Sequence, residues 1–337
     1  MGVGRGVVET KVLKIKDLYN DSLEYPCEVL KSGNLVAFPT ETVYGLGALA
    51  TNPEAVRKIF EVKGRPQDNP LIVHLSSIDQ IKEFALIEEG YMKVVNKLTP
   101  GPITFVLRKK DKIPYEVTAG LDTVGVRIPA HPIAQRLAEC VGPIAAPSAN
   151  LSGKPSPTDA KSVIEDLNGL VDCIIDAGES AFGIESTIVD LTKDKPLVLR
   201  PGPITIEELN DIFAEFGGVD YYEPTKDERP VAPGMKYRHY APEKHIRLVN
   251  RDELSYLINT NVLILCTLET QKNILQGAEN IYIIGEYSRP YTIAQNLYRS
   301  LRYVDKSPYP EAVIEKFPEE GLFFSIMNRL KKAVSKK

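Results

Sequence analysis

Between Leu35 and Leu199 the chain carries a string of short apolar runs, and several neighbours in it lie too close together for a helix to join them. The runs fall at 35–38, 71–75, 103–107, 124–128, 173–175, 187–191 and 197–199. Runs this short, bounded by turn residues, read as strands. Parallel neighbours need a crossover of about a dozen residues. A purely parallel, doubly wound sheet therefore fits poorly. A mixed sheet flanked by helices fits better, giving an α/β fold class.

Helical stretches lie between these runs. Asn52 caps a helix with Pro53 in its first turn, a well-matched pair. Helical patterns occupy 78–85, 88–98 and 158–167, and Thr205 with Glu208 forms a capping box. A chain of 337 residues suits two domains. The expected division is a main domain over 1–216, a linker over 217–244 and a small C-terminal Rossmann-like unit over 245–337. The linker holds Gly217-Gly218, several prolines and the charged stretch Lys226-Asp227-Glu228-Arg229. A structureless connection this long is unusual unless it has a job. Its second half, 233–242, is rich in aromatic and basic residues for a spacer. In the last unit, strands are expected at 245–249, 262–266 and 281–284, and a helix over 291–303. Leu322-Phe323-Phe324 is expected as the final strand before a terminal amphipathic helix. The repeated strand–helix order suits a small parallel sheet.

Composition narrows the class. The 41 basic and 45 acidic side chains give a net charge of −4, so no general attraction to nucleic acid or membrane is expected. No apolar run approaches a membrane span, and no signal-peptide stretch is visible. Cys27, Cys140, Cys173 and Cys266 are far apart and lack metal or redox spacing. They point to a reducing compartment, the cytoplasm.

Polar motifs follow the apolar runs. Pro39-Thr40-Glu41-Thr42-Val43-Tyr44-Gly45-Leu46-Gly47 sets hydroxyls among small residues. Thr40, nearest the strand end, is its ligand candidate, and an ordinary polar turn is the alternative. Lys63 and Arg65 flank Gly64. In an extended loop, residues two apart face the same way and could grip one polyphosphate. A solvated basic loop is the other reading. His74 lies in an apolar strand, where a core histidine is the default. Arg127, surrounded by apolar residues, needs an anionic partner, either a protein carboxylate or a bound one. Ser148-Ala149-Asn150 presents a hydroxyl and an amide, and Gly183-Ile184-Glu185-Ser186-Thr187 presents more hydroxyls. Arg200-Pro201-Gly202 adds a further cation. Cations in such loops suggest an anion of several oxygens, most readily a nucleotide triphosphate. The Walker loop, the dinucleotide fingerprint, the Gly-x-Ser-x-Gly elbow and zinc-ligand histidine spacing are all absent.

Together, the 39–47 run, Lys63-X-Arg65, Asn69-Pro70-Leu71, Ser148-X-Asn150, the 183–187 run and Arg200-Pro201-Gly202 resemble the YrdC family. The linker and C-terminal unit resemble its longer, two-domain branch, the threonylcarbamoyl-AMP synthases. The resemblance covers almost the whole chain. It implies that L-threonine, bicarbonate and ATP, with Mg2+ in the nucleotide complex, give threonylcarbamoyl-AMP and pyrophosphate. A partner complex would then transfer the threonylcarbamoyl group to adenosine beside the anticodon of tRNA. Direct contact between this chain and tRNA is left open.

The implied fold is a mixed, twisted sheet with a concave, positively charged face. The resemblance assigns Thr40, His74, Arg127 and Ser186 to L-threonine, with Arg127 on its carboxylate. Thr118 joins that set from its loop position before Val124. Lys63, Arg65, Ser148, Asn150, Ser156 and Arg200 are assigned to ATP, with Lys63 and Arg65 acting in catalysis. His239 and Tyr240 would cover the nucleotide. No protein-held metal is expected. One alternative is an RNA-binding module without catalysis. Another is carbamoyl transfer from carbamoyl phosphate, which in larger proteins needs zinc-finger parts whose cysteines this chain lacks.

Overall fold

The computed structural model describes residues 6–223, 229–235 and 239–335. Lys226-Asp227-Glu228 and Lys236-Tyr237-Arg238, singled out above, lie outside the described residues.

The chain opens with β1 (Lys11–Lys14) and α1 (Glu24–Lys31), then the hairpin of β2 (Val36–Phe38) and β3 (Gly45–Leu49). There follow α2 (Pro53–Lys63), β4 (Ile72–His74), α3 (Ile78–Phe84), β5 (Ala85–Leu86) and, after a 3-10 turn, α4 (Met92–Leu98). Next come β6 (Ile103–Lys109), α5 (Tyr115–Thr118), β7 (Thr123–Arg127), α6 (Pro132–Val141) and β8 (Ile144–Ala145). The large unit ends with α7 (Ala160–Leu167), β9 (Cys173–Asp176), β10 (Thr187–Asp190), β11 (Leu197–Arg200), α8 (Ile206–Ile212) and β12 (Asp220–Tyr221).

Among the described residues these strands form one sheet in the order β1-β9-β2-β3-β8-β4-β7-β6-β10-β11-β12, with β5 on β6. The β2–β3, β3–β8, β4–β8, β6–β7 and β10–β11 pairs are antiparallel. The β1–β9, β4–β7 and β6–β10 pairs are parallel. The sheet is mixed, as the short connections require. Both its faces are covered. Leu35 and Ala37 enter one core with Val56 and Ile59 of α2. Val36 and Phe38 enter another with Leu30 of α1 and Leu137 of α6. Burial on both faces explains why the strands read as continuous apolar runs.

The second unit contains β13 (His245–Val249), β14 (Val262–Thr267), α9 (Leu268–Asn273), β15 (Ile281–Gly285), α10 (Pro290–Lys306), β16 (Glu311–Glu315) and α11 (Gly321–Val334). Its strands form an all-parallel sheet in the order β13-β16-β14-β15. Two corrections arise here. Leu322-Phe323-Phe324 is not a strand but the first turn of α11, whose buried Ile326, Met327, Leu330 and Ala333 follow the helical period. The last strand is β16, which the sequence reading missed. Within 217–244, Asp220–Tyr221 extends the large sheet by pairing with β11. The two units share a core, in which Val43 and Ile184 pack with Leu297, Tyr298 and Leu301.

Candidate active site

A concave pocket opens where several strand-end loops of the large sheet meet Pro233, Gly234, His239 and Tyr240. Its lining includes Thr40, Lys63, Arg65, His74, Arg127, Ser148, Asn150, Ser186, Arg200, His239 and Tyr240. These are all the residues expected from sequence except Thr118 and Ser156.

Both exceptions have a physical reason. Thr118 is the last residue of α5, and its hydroxyl donates to the carbonyl of Leu121 at 2.7 Å. It belongs to its own turn and does not line the pocket. Ser156 is buried behind the wall and donates to Glu185 Oε2 at 3.2 Å.

The Thr40 corner is built by the β2–β3 turn. Thr40 Oγ1 donates to the Val43 carbonyl at 2.6 Å, accepts from Thr42 N at 3.1 Å and lies 2.9 Å from Thr42 Oγ1. The Ser148–Asn150 loop is zipped to the same run: Leu46 N donates to the Pro147 carbonyl and Ala149 N to that of Tyr44. Glycine at 47 is required by packing. A Cβ there would sit 2.7 Å from Ile144 Cγ2 and 2.8 Å from Phe38.

Lys63 and Arg65 do not lie in the extended loop expected. Lys63 is the last residue of α2, and Gly64 closes the helix in the left-handed region with φ 63°. That reversal, rather than an extended backbone, turns both side chains into the pocket. Lys63 Nζ is buried and donates to the carbonyls of Ser148 and Asn150. Burial, then repulsion from Arg65, pull its pKa well below the ordinary lysine value. Arg65 donates to the Pro70 carbonyl at 2.8 Å. Burial pushes its pKa down to about 10.

His74 and Arg127 are direct partners in the β4–β7 register, so their side chains share a face. Burial lowers the His74 pKa to about 4, leaving a neutral imidazole. The protein partner of Arg127 is Glu41: the two form a buried ion pair, and Arg127 Nη1 donates to Thr42 Oγ1 at 3.0 Å. A protein carboxylate therefore already answers the need that the sequence reading assigned to threonine. Arg200, on β11, donates through Nε to the Ser186 carbonyl at 3.0 Å and through Nη2 to Ser186 Oγ at 3.2 Å.

Two observations give the pocket its chemistry. Among the described residues, Lys63, Arg65, Arg127 and Arg200 line it against one lining carboxylate, Glu185. Among the described residues, Arg65 Nε, His74 Nδ1, Asn150 Oδ1 and His239 Nε2 are buried polar atoms without a hydrogen-bond partner, and all four residues line the pocket. Buried polar groups are ordinarily paired, so such a cluster points to a polar, anionic ligand. Tyr240 holds φ 63°, unusual for a bulky residue. Its segment is tied down by Ala241 N donating to the Gly153 carbonyl at 3.0 Å.

Sequence reasoning missed Glu41 and Glu185 as members of the site. Both stand inside motifs already singled out, and the available signal was an acid beside a hydroxyl in an otherwise small, apolar loop. Among the described residues no cluster of three or more His, Cys, Asp or Glu side chains is placed to hold a metal. No helix among them is long and apolar enough to cross a membrane.

The Sua5–YciO–YrdC family model, described as telomere recombination, matches residues 28–202. A second family model, described as threonylcarbamoyl-AMP synthase, C-terminal domain, matches residues 204–335. A threonylcarbamoyl-AMP synthase of Pyrococcus abyssi is 44% identical over 315 residues, covering 90% of this chain and 91% of that one. A threonylcarbamoyl-AMP synthase of Bacillus subtilis is 42% identical over 316 residues, covering 90% of each. The crystal structure of P. abyssi Sua5 complexed with L-threonine superposes with a TM-score of 0.85 at 39% identity, covering 96% of this chain and 97% of that one.

Proposed function

From the fact that this chain belongs to the Sua5–YciO–YrdC family, over the length of its two-domain threonylcarbamoyl-AMP synthases, we infer that its pocket makes threonylcarbamoyl-AMP and pyrophosphate from L-threonine, bicarbonate and ATP. That makes it a nucleotidyltransferase serving tRNA threonylcarbamoyladenosine formation in the cytoplasm. The observation that carries the reading is the juxtaposition of four lining cations with the paired His74–Arg127 corner.

ATP lies along Lys63, Arg65, Ser148, Asn150 and Arg200, with His239 and Tyr240 over it. L-threonine sits at Thr40, His74, Arg127 and Ser186. Arg127 shares its five N–H donors between Glu41, Thr42 and the threonine carboxylate. Magnesium enters as part of the nucleotide substrate.

The threonine amine and bicarbonate condense to a carbamate with loss of water. A carbamate oxygen then attacks the α-phosphorus. The P–O bond to the β-phosphate breaks, and pyrophosphate leaves with the electron pair. Negative charge grows on the phosphoryl oxygens and the leaving group, where Lys63 and Arg65 oppose it. Neutral His74 adds no positive charge to repel the ammonium of the incoming threonine, which must lose a proton before its nitrogen can attack. The carbamate and the adenylate both hydrolyse readily, and His239 and Tyr240, with Pro233 and Gly234, exclude water from them.

The test is direct. The protein is mixed with ATP, magnesium, bicarbonate and labelled threonine, and the products are separated by chromatography. An adenylate carrying the label should appear together with pyrophosphate, and only when bicarbonate is present. A labelled adenylate formed without bicarbonate, or none at all, rejects the reading.

A further inference from the structure

Two residues one helical turn apart on α10 reach across to the walls of the pocket without entering it. Tyr298 donates its hydroxyl to the Glu185 carboxylate, 2.8 Å from Oε2. Arg302 forks onto Asp166, with Nη1 to Oδ1 and Nη2 to Oδ2 both at 3.0 Å. Its Nη2 also donates to the Pro155 carbonyl at 2.8 Å. Asp166 Oδ2 in turn accepts from Leu151 N at 2.9 Å. The spacing of four residues places both side chains on one helical face.

Each contact ends on or beside a lining residue. Leu151 follows Asn150, so Arg302 holds the loop of the nucleotide wall at both its ends. Glu185 precedes Ser186, so Tyr298 holds the threonine wall. The Ser156 hydroxyl on Glu185 ties the two loops together. Helix α11 braces both walls. Arg329, fully buried, donates to the Glu185 carbonyl at 2.9 Å and to that of Pro201, next to Arg200. The Tyr298 ring also lies 5.3 Å from that of Tyr240, in the covering segment. Burial would raise the Glu185 carboxyl pKa, but Arg329, Arg200 and the Tyr298 hydroxyl outweigh it and hold the group ionised.

We propose that Tyr298 and Arg302 form a positioning clamp, by which the C-terminal unit sets the gap between the wall that holds ATP and the wall that holds L-threonine. The proposal rests on the assignment of ligands to walls given above. Simple adhesion between the units would make the same contacts, but it would not act on the two substrates separately.

The test compares steady-state kinetics and thermal melting of the wild-type chain, Tyr298→Phe and Arg302→Lys. Tyr298→Phe should raise the KM for threonine roughly tenfold and leave that for ATP within about twofold, since one hydrogen bond to a charged group is lost on one wall. Arg302→Lys, which keeps the charge but loses the fork, should do the reverse. Melting should remain near wild type in both. Unchanged constants, equal movement of both constants in both variants, or a fall in kcat that merely follows the folded fraction would overturn the clamp. A crossed pattern would keep the clamp and overturn the assignment of ligands to walls. If the wild-type chain makes no adenylate, the functional reading fails. Equilibrium binding of labelled ATP and threonine to the same variants then decides the clamp by the same pattern.

Discussion

Lys63 sits at the last turn of α2 with two carbonyl oxygens against its ammonium group. Burial and Arg65 both favour its neutral form. A triphosphate favours the charged form, so ATP binding draws a proton onto Lys63 wherever the pH exceeds its depressed pKa. The sign follows: affinity for ATP should weaken as pH rises through that value. Calorimetry in two buffers of unlike ionisation enthalpy should report net proton uptake on ATP binding, lost in Lys63→Met. Identical heats for the wild-type chain, once corrected, would contradict this. Lys63→Ala should lower kcat by about 10²–10³, the usual cost of removing a charge-stabilising donor. At this scale the sequence was informative where a polar residue stood at the end of an element or just before one, as at Thr40, Lys63, Ser148 and Ser186. It misled at Thr118, whose hydroxyl is taken by a carbonyl three residues on. It was silent on the roles of Glu41 and Glu185, because nothing local shows that a carboxylate faces Arg127 or Arg329.

Among elements, α2 is the one whose ends matter most, since its C-terminus aims two cations into the pocket. Asn52 Oδ1 accepts from Ala55 N at 3.2 Å, and Pro53 opens the helix. Both features were legible because capping chemistry is local. At Gly64 a Cβ would meet nothing within 4 Å, so the cost of a side chain there is purely conformational. Gly64→Ala should therefore destabilise the chain by about 1 kcal/mol. It should also raise the KM for ATP, with Gly64→Asn milder in both. Denaturant titration checks the first effect, and equal stability of the alanine variant would refute the strain. The start of α11 was not legible: three consecutive apolar residues fit a strand or a buried helical turn equally well. Only packing on the second core decides for the helix.

Across the whole molecule, burial keeps several histidines neutral. His74, His131 and His239 are each pushed down to about 4, with Arg127 adding to the effect at His131 and Arg65 at His239. The unfolded chain takes up these protons near pH 6.5, while the folded chain resists until about 4. The histidine contribution to stability should thus be level above pH 6.5, fall between 6.5 and 4, and flatten below. Each histidine contributes on the order of 1–3 kcal/mol to that fall. Urea midpoints across the range should show the slope, with His74→Gln making it shallower, and a flat profile would exclude the effect. Deleting residues 233–242 should uncouple the reaction, raising ATP turnover per adenylate recovered. An unchanged yield per ATP would argue against a water-excluding role. The existence of two units was readable from composition and pattern. Their shared core and the reach of Tyr298, Arg302 and Arg329 were not, because such contacts join residues more than a hundred positions apart and leave no local period.

Order of synthesis then becomes part of how this protein matures. Lys11 pairs with Cys173, so the first strand waits unpartnered until the middle of the chain has been made. Glu185 waits longer still, for Arg329 and Tyr298. A polypeptide still attached to the ribosome, or cut short before its last helix, carries the pocket-lining cations without the bracing that Arg329 gives behind them.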